Sequence, residues 1–136
     1  MIRSILLDTC ALIWLAEGQK IDDTARDALR ETEEAGAVFV SPISAWEVGL
    51  LVARNRIALS RDPLGWFEDL VAGDLELAPL PPSTLIAASF LPSCNLRDPA
   101  DRILVATARA LNLRLMTRDR PILDYAAEGH VAAIAC

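Results

Sequence analysis

Three features of this sequence predict an α/β domain built on a mostly parallel sheet. Short apolar runs of strand length recur along the chain: residues 3–7, AVFV at 37–40, LELA at 75–78, LRLMT at 113–117 and VAAIA at 131–135. Segments of helical length and periodicity lie between them, and this alternation is the pattern of strands joined by helical crossovers. The third feature is size. At 136 residues and 53% hydrophobic content, the chain can bury one real core, which fits a single domain over 1–136.

The elements follow in order. The strand at 3–7 runs through Asp8 into a helix over ALIWLAEG, which stops near Gly18. Residues 22–34 form an exposed amphipathic helix with Ala25, Ala28, Leu29 and Thr32 on its inner face. After the AVFV strand, SPISAWEVGLLVARN begins with Ser41 as N-cap and Pro42 at the first helical position. DPLGWFEDLV starts the same way, with Asp and then Pro. PPSTLIAASF is a helix after the LELA strand, and DPADRILVATARAL is the strongest helix of all. LRLMT ends in a loop carrying Arg118, Asp119 and Arg120, followed by a short helix over PILDYAAEG and the VAAIA strand.

Composition narrows the function. The net charge of −6 argues against a broad nucleic-acid coat, but allows an enzyme that grips phosphate with a few arginines and a metal. Asp22, Asp23, Asp27, Glu31, Glu33 and Glu34 crowd one segment against only Arg26 and Arg30, the mark of a solvated helix face. The apolar start is interrupted by Asp8 and has no small-residue cleavage site after it, so it is a buried strand and not a signal peptide. No apolar run reaches the roughly 18 residues of a membrane span, so no membrane partner is expected. Cys10, Cys94 and Cys136 are odd in number, which favours free thiols in a reducing cytoplasm. Cys10 itself has the plain reading of a small buried thiol. His130, the one histidine, is a surface loop residue and serves neither a zinc site nor a Ser/His/Asp triad.

The chemistry lies in the acids. In LRDPADRILVAT, Asp98 is placed to cap a helix, Pro99 and Ala100 follow, and Asp101 falls in the first turn. Capping and the helix dipole account for both residues on their own. Asp8, however, stands where the first strand ends, and Asp119 two residues past Thr117, the end of another. Both belong at the carboxyl edge of a parallel sheet, where such folds bind ligands. Glu47 lies on a helix apolar almost all round, which predicts burial, and Ser44 shares its face at i and i+3. A carboxylate there needs a metal, an arginine or a raised pKa. Converging carboxylates repel each other and persist only when neutralised, and all-oxygen ligands favour Mg2+ or Mn2+. Such an ion lowers the pKa of a water and stabilises charge on an attacked phosphate. Arg97, Arg102, Arg118 and Arg120 flank the same motifs as candidate phosphate contacts, with pairing to nearby acids as the alternative.

With LLDTCALIWL, SPISAWEVGLL, LRDPADRILVATA and LMTRDRPILDY in this order and spacing, the sequence resembles the PIN-domain ribonucleases, and specifically the VapC-like toxins of type II toxin–antitoxin systems. The resemblance spans nearly the whole chain. It implies a three-layer PIN-like fold with a mostly parallel central sheet and helices on both faces. By position it implies Asp8, Glu47 and Asp101 as the core catalytic and metal-binding acids, Asp119 as a fourth, and Asp98 beside them as a further candidate. Thr9 and Thr117 would support the site through their hydroxyls. The activity implied is a Mg2+- or Mn2+-dependent endoribonuclease acting on RNA, a homodimer inhibited by a cognate VapB-like antitoxin. Cys10, Leu96 and Ala100 depart from residues frequent in that branch, which bears on substrate contacts and not on the carboxylates.

Other strand-then-aspartate families fail on single residues. A haloacid-dehalogenase phosphatase needs an aspartate where Cys10 stands, and a receiver domain needs a lysine after a late strand, whereas the one lysine is Lys20. A DNA-directed nuclease and a catalytically degenerate binding module remain as alternatives, separable by substrate and by metal-dependent stabilisation. Mean hydropathy of +0.32, with Trp14, Trp46, Trp66 and Phe67, provides apolar area for a core, and for a dimer or antitoxin interface.

Overall fold

The computed structural model describes residues 3–136; Met1 and Ile2, the first two residues of the expected domain, lie outside the described residues. Five strands form one sheet: β1 (Ile5–Leu7), β2 (Val38–Val40), β3 (Leu75–Leu77), β4 (Arg114–Thr117) and β5 (Ala132–Ala135). Every pairing is parallel, in the order β3-β2-β1-β4-β5. The chain steps outward from β1 to β3, then returns to place β4 on the other side of β1. The order therefore reverses between β1 and β4, the topological switch point at which open parallel sheets form their ligand crevice. In register, Leu6 pairs with Phe39 on one side and Leu115 on the other.

Successive strand residues feed opposite faces of the sheet. Ile5, Leu7 and Met116 pack with Leu12, Ala25, Leu29 and Trp66, whereas Leu6 and Leu115 pack with Leu104, Val105, Ile122 and Tyr125. All three β1 side chains are fully buried. Burial on both faces explains why the inner strands β1, β2 and β4 read as apolar runs and not as an alternating pattern. Two core layers, one on each face, give the three-layer arrangement.

Seven helices connect the strands: α1 (Thr9–Ala16), α2 (Asp23–Ala35), α3 (Pro42–Ala53), α4 (Pro63–Ala72), α5 (Pro82–Ala87), α6 (Pro99–Leu111) and α7 (Arg120–Ala127). Ser41, Asp62 and Asp98 cap α3, α4 and α6 through their side chains, each before a proline at the start of its helix. Ala25, Leu29 and Thr32 form the buried face of α2. No helix among the described residues is long and apolar enough to cross a membrane.

Three expectations change. The first helix begins at Thr9, not Ala11, because Asp8 caps it by accepting from Ala11 N at 2.7 Å. The helix over PPSTLIAASF gives way to a 3₁₀ turn at Ala88–Phe90, where the Ala88 carbonyl is held by Arg102 Nε at 2.8 Å. The largest change is in α3. Its sequence is apolar all round, yet only Ser44 and Val48 are buried and Trp46 is 58% exposed. The helix packs against α1, α4 and α6, which together cover only part of its circumference.

Candidate metal centre

Three of the acids, Asp8, Asp98 and Asp119, are held by backbone N–H groups at helix starts. Asp8 leaves β1 directly, with its own N–H donated to Met116 O at 3.0 Å across to β4. Its carboxylate accepts from Ala11 N on Oδ1 and from Thr117 Oγ1 at 2.5 Å on Oδ2. Thr117 closes β4, is fully buried, and accepts in turn from Asp119 N at 3.0 Å. Asp119 caps α7 by accepting from Ile122 N at 3.2 Å. Asp98 caps α6 by accepting from Ala100 N at 2.9 Å, and Asp101 lies in the first turn of that helix. Glu47 comes from α3, half-buried, and accepts from Thr9 Oγ1. Thr9 Oγ1 also lies 2.9 Å from Ser44 Oγ.

Capping and clustering are therefore one device. Asp8, Asp98 and Asp119 are N-caps of α1, α6 and α7, so three helix N-termini, each with its partial positive charge, accompany the acids. Those dipoles offset part of the repulsion among the carboxylates.

The remaining repulsion shows in the protonation equilibria. Burial pushes the Asp101 carboxyl up to about 7, aided by Asp98, Asp119, Glu47 and Asp8. Burial also raises Glu47, against the lowering effect of the Thr9 hydrogen bond, with Asp98 and Asp8 adding to the rise. Asp8 is raised by burial despite its bonds from Thr117 and Ala11. These electrostatic couplings place Asp8, Glu47, Asp98, Asp101 and Asp119 around one locus. None of the five forms an ion pair with an arginine or lysine among the described residues.

The donor chemistry suits a hard divalent cation. Asp101 accepts no hydrogen bond among the described residues, and Glu47, Asp98 and Asp119 each use one oxygen and leave the other free. The acids form an open mouth and not a closed cage: no three of the described Asp, Glu, His or Cys side chains converge tightly enough to enclose an ion.

The four arginines divide. Arg102 spends its guanidinium on Ala88 O at 2.8 Å, Leu96 O at 2.9 Å and Cys94 Sγ at 3.3 Å, stapling the segment that precedes α6. Arg118 stacks 3.8 Å from the Trp14 ring centroid and donates to Cys136 O at 2.8 and 3.2 Å. Both bonding patterns are structural and do not include the acids as partners. Arg97 and Arg120 are exposed, and Arg120 has only a 3.9 Å contact with Asp124.

Sequence reasoning did not give Cys10 a place in the site. Expected to be buried, its thiol is exposed at the start of α1, because the residue after Thr9 points away from the core. Its pKa rises to about 11 through burial of part of the group and through Asp8, Glu47, Asp101 and Asp119, so the thiol stays protonated and neutral beside the acids. The signal was available, since Cys10 stands two residues from Asp8. His130, expected on a surface loop, is partly covered: it stacks on Tyr125 at 4.5 Å and lies 3.5 Å from Glu128.

The PIN domain family model matches residues 5–128. Ribonuclease VapC22 from Mycobacterium tuberculosis (strain ATCC 25618 / H37Rv) is 36% identical over 123 residues, covering 90% of this chain and 92% of that protein. The fold matches a chain of VapBC2 from Rickettsia felis bound to a promoter DNA fragment, with a TM-score of 0.70 and 12% identity over 97% of this chain and 98% of that one. A chain of DNA-bound VapBC from Salmonella typhimurium gives a TM-score of 0.68 and 14% identity, over 99% and 98%. At these identities the solved structures speak for the fold.

Proposed function

The chain belongs to the PIN-domain family, and within it to the VapC-type ribonucleases, and from that premise we propose that it is the toxin of a toxin–antitoxin pair, a Mg2+- or Mn2+-dependent endoribonuclease that hydrolyses RNA phosphodiester bonds. What supports the proposal is the electrostatic coupling of Asp101 to Asp8, Glu47 and Asp119, with Asp8 and Asp119 following the ends of β1 and β4 and no ion pair to an arginine or lysine among the described residues.

Asp8, Glu47, Asp101 and Asp119 would hold the ion, with Asp98 at the rim. When bound, the ion lowers the pKa of a water and offsets the charge that grows on the phosphate under attack. The chain's own groups prepare the rest. Thr117 and the Ala11 N–H fix the Asp8 carboxylate before any ligand arrives, so no reorganisation is needed there. Asp101 keeps both oxygens free and titrates near neutrality, so it gives up its proton when a cation replaces it. Asp119 holds one oxygen on Ile122 N and presents the other to orient the attacking water. Arg97 and Arg120, both exposed, are the phosphate contacts this reading favours.

The partners follow from surface chemistry. Trp46, Ile86 and Phe90 are 58%, 62% and 79% exposed, large apolar side chains that a partner could cover. A homodimer and a VapB-like antitoxin are the occupants this reading assigns to such surfaces, supported by the VapBC complexes among the fold neighbours.

The test is cleavage of a mixed pool of cellular RNA, with single-stranded DNA in parallel, in Mg2+, Mn2+ or EDTA, beside Asp8→Asn. Discrete RNA cuts that require metal and vanish in the variant support the proposal. DNA cleavage in place of RNA cleavage would make it a deoxyribonuclease, and equal activity in Asp8→Asn would remove the carboxylate mechanism.

A further inference from the structure

Ser44 is placed oddly for a residue with no part in the site. It lies in the first turn of α3, is fully buried, and among the described residues its hydroxyl has one side-chain partner, Thr9 Oγ1 at 2.9 Å. Thr9 is 5% exposed and comes from the first turn of α1. The same Thr9 oxygen bonds Glu47 Oε1. A buried hydroxyl is costly unless satisfied, and alanine would fill the Ser44 position without that cost.

Counting hydrogens fixes the direction of the chain. Thr9 has a single hydroxyl hydrogen, and an ionised Glu47 can only accept, so that hydrogen goes to Glu47. Thr9 must then accept from Ser44, which has its own hydrogen to give. The result is a directed sequence, Ser44 O–H to Thr9 O–H to Glu47 carboxylate, linking α3 to α1 and back to α3. Each donation polarises the next, so Thr9 is a stronger donor with Ser44 behind it. The chain also restrains the Glu47 carboxylate through Oε1 and leaves Oε2 without a hydrogen bond among the described residues.

We propose that Ser44 is a positioning residue of the acidic site: its hydroxyl, acting only through Thr9, orients the Glu47 carboxylate for the cation. This rests on the metal-dependent reading above. Like Asp101, Glu47 comes from neither a strand end nor a helix cap and has no backbone N–H to hold it, and of the two only Glu47 has a side-chain donor among the described residues.

The test is a double-mutant cycle read by Mn2+ titration of the folded protein without RNA. The variants are Ser44→Ala, Thr9→Val and both together, with Thr9→Ser as the variant that keeps the hydroxyl. Ser44→Ala is expected to weaken Mn2+ binding about fivefold, the scale of losing one bond in a polarised network, and Thr9→Val more. In the Thr9→Val background, Ser44→Ala should change nothing further, and Thr9→Ser should restore most of the affinity. Unchanged affinity in Ser44→Ala, or the same loss with and without Thr9, would overturn the proposal. Absence of saturable Mn2+ binding by the unmutated protein would instead sink the metal reading. The chain is then read directly by proton NMR of the metal-free protein, where the buried Thr9 hydroxyl resonance should move upfield in Ser44→Ala. A resonance that does not move means that Ser44 does not donate to Thr9.

Discussion

Thr117 Oγ1 donates to Asp8 Oδ2 at 2.5 Å, joining the ends of β4 and β1 across 109 residues of sequence. The same oxygen accepts from Asp119 N at 3.0 Å, so one buried hydroxyl positions a carboxylate from one strand and the backbone of another acid beyond the next. Thr117→Val keeps the shape and removes both bonds. It leaves an unpaired carboxylate oxygen and an unpaired N–H, each costing about 1–3 kcal/mol where buried. Urea unfolding should show a loss in that range, and metal-dependent cleavage should fall by about tenfold or more as Asp8 loses its fixed orientation. Thr117→Ser should recover most of both. Full cleavage by the valine variant would mean that Asp8 is held by Ala11 N alone.

Asp101 makes stability depend on pH in a direction opposite to a salt-bridged acid. Its folded-state pKa of about 7 lies above the ordinary value of 3.8, so the folded chain holds more protons between those values. Stability from this group is complete below the unfolded value and is lost as pH rises through about 7. Asp8 and Glu47 shift in the same direction. The Asp101 gap alone corresponds to about 4 kcal/mol, and solvent screening of a partly exposed group reduces that to roughly 1–2 kcal/mol. Asp101→Asn should therefore be more stable than the parent at neutral pH in EDTA, with a flatter pH dependence, while cleaving no RNA. Parallel urea midpoints for the two proteins from about pH 5 to pH 8 would count against this account.

The fold was legible because strands buried on both faces leave apolar runs, and because Ser41, Asp62 and Asp98 announce three helices before proline. Asp8, Asp101 and Asp119 were legible for the same local reason, since strand ends and helix starts can be read from neighbours. Glu47 was singled out by a sound contrast and a wrong premise: α3 is apolar almost all round, but most of it is only partly covered and Trp46 is exposed. The hydroxyl links from Thr9 and Thr117 to the acids span 38 and 109 residues, and the partners of Arg102 lie in the 3₁₀ turn and the loop that precede α6. No local signal encodes such distant pairings.

Arg102 and Arg97 should separate structure from substrate. Arg102→Ala removes donors from Ala88 O and Leu96 O, and unfolding should become easier by about 1–3 kcal/mol. Cleavage per folded molecule and its salt dependence should stay near those of the parent. Arg97→Ala, from an exposed position, should leave stability within about 0.5 kcal/mol and raise the KM for RNA, with a shallower salt slope. The opposite pattern, with RNA affinity following Arg102, would restore that guanidinium as a phosphate contact and require the 88–96 segment to open.

Cation binding should convert the destabilising acids into a stabilising set. An ion that binds only the folded state adds about 2.7 kcal/mol at a hundred times its dissociation constant. Thermal unfolding of the parent near neutral pH should rise with added Mn2+ and return with EDTA. The increment should shrink in Asp8→Asn, because that change removes a ligand held ready by Thr117 and Ala11. It should shrink in Asp101→Asn as well, although this variant starts from a more stable metal-free state. The two variants thus separate the roles of one cluster: Asp101→Asn raises metal-free stability and lowers the metal increment, while Asp8→Asn lowers the increment and also gives up part of the Thr117 hydrogen bond. A Mn2+ increment of equal size in all three proteins would place the ion elsewhere on the chain and would leave these carboxylates as helix caps alone.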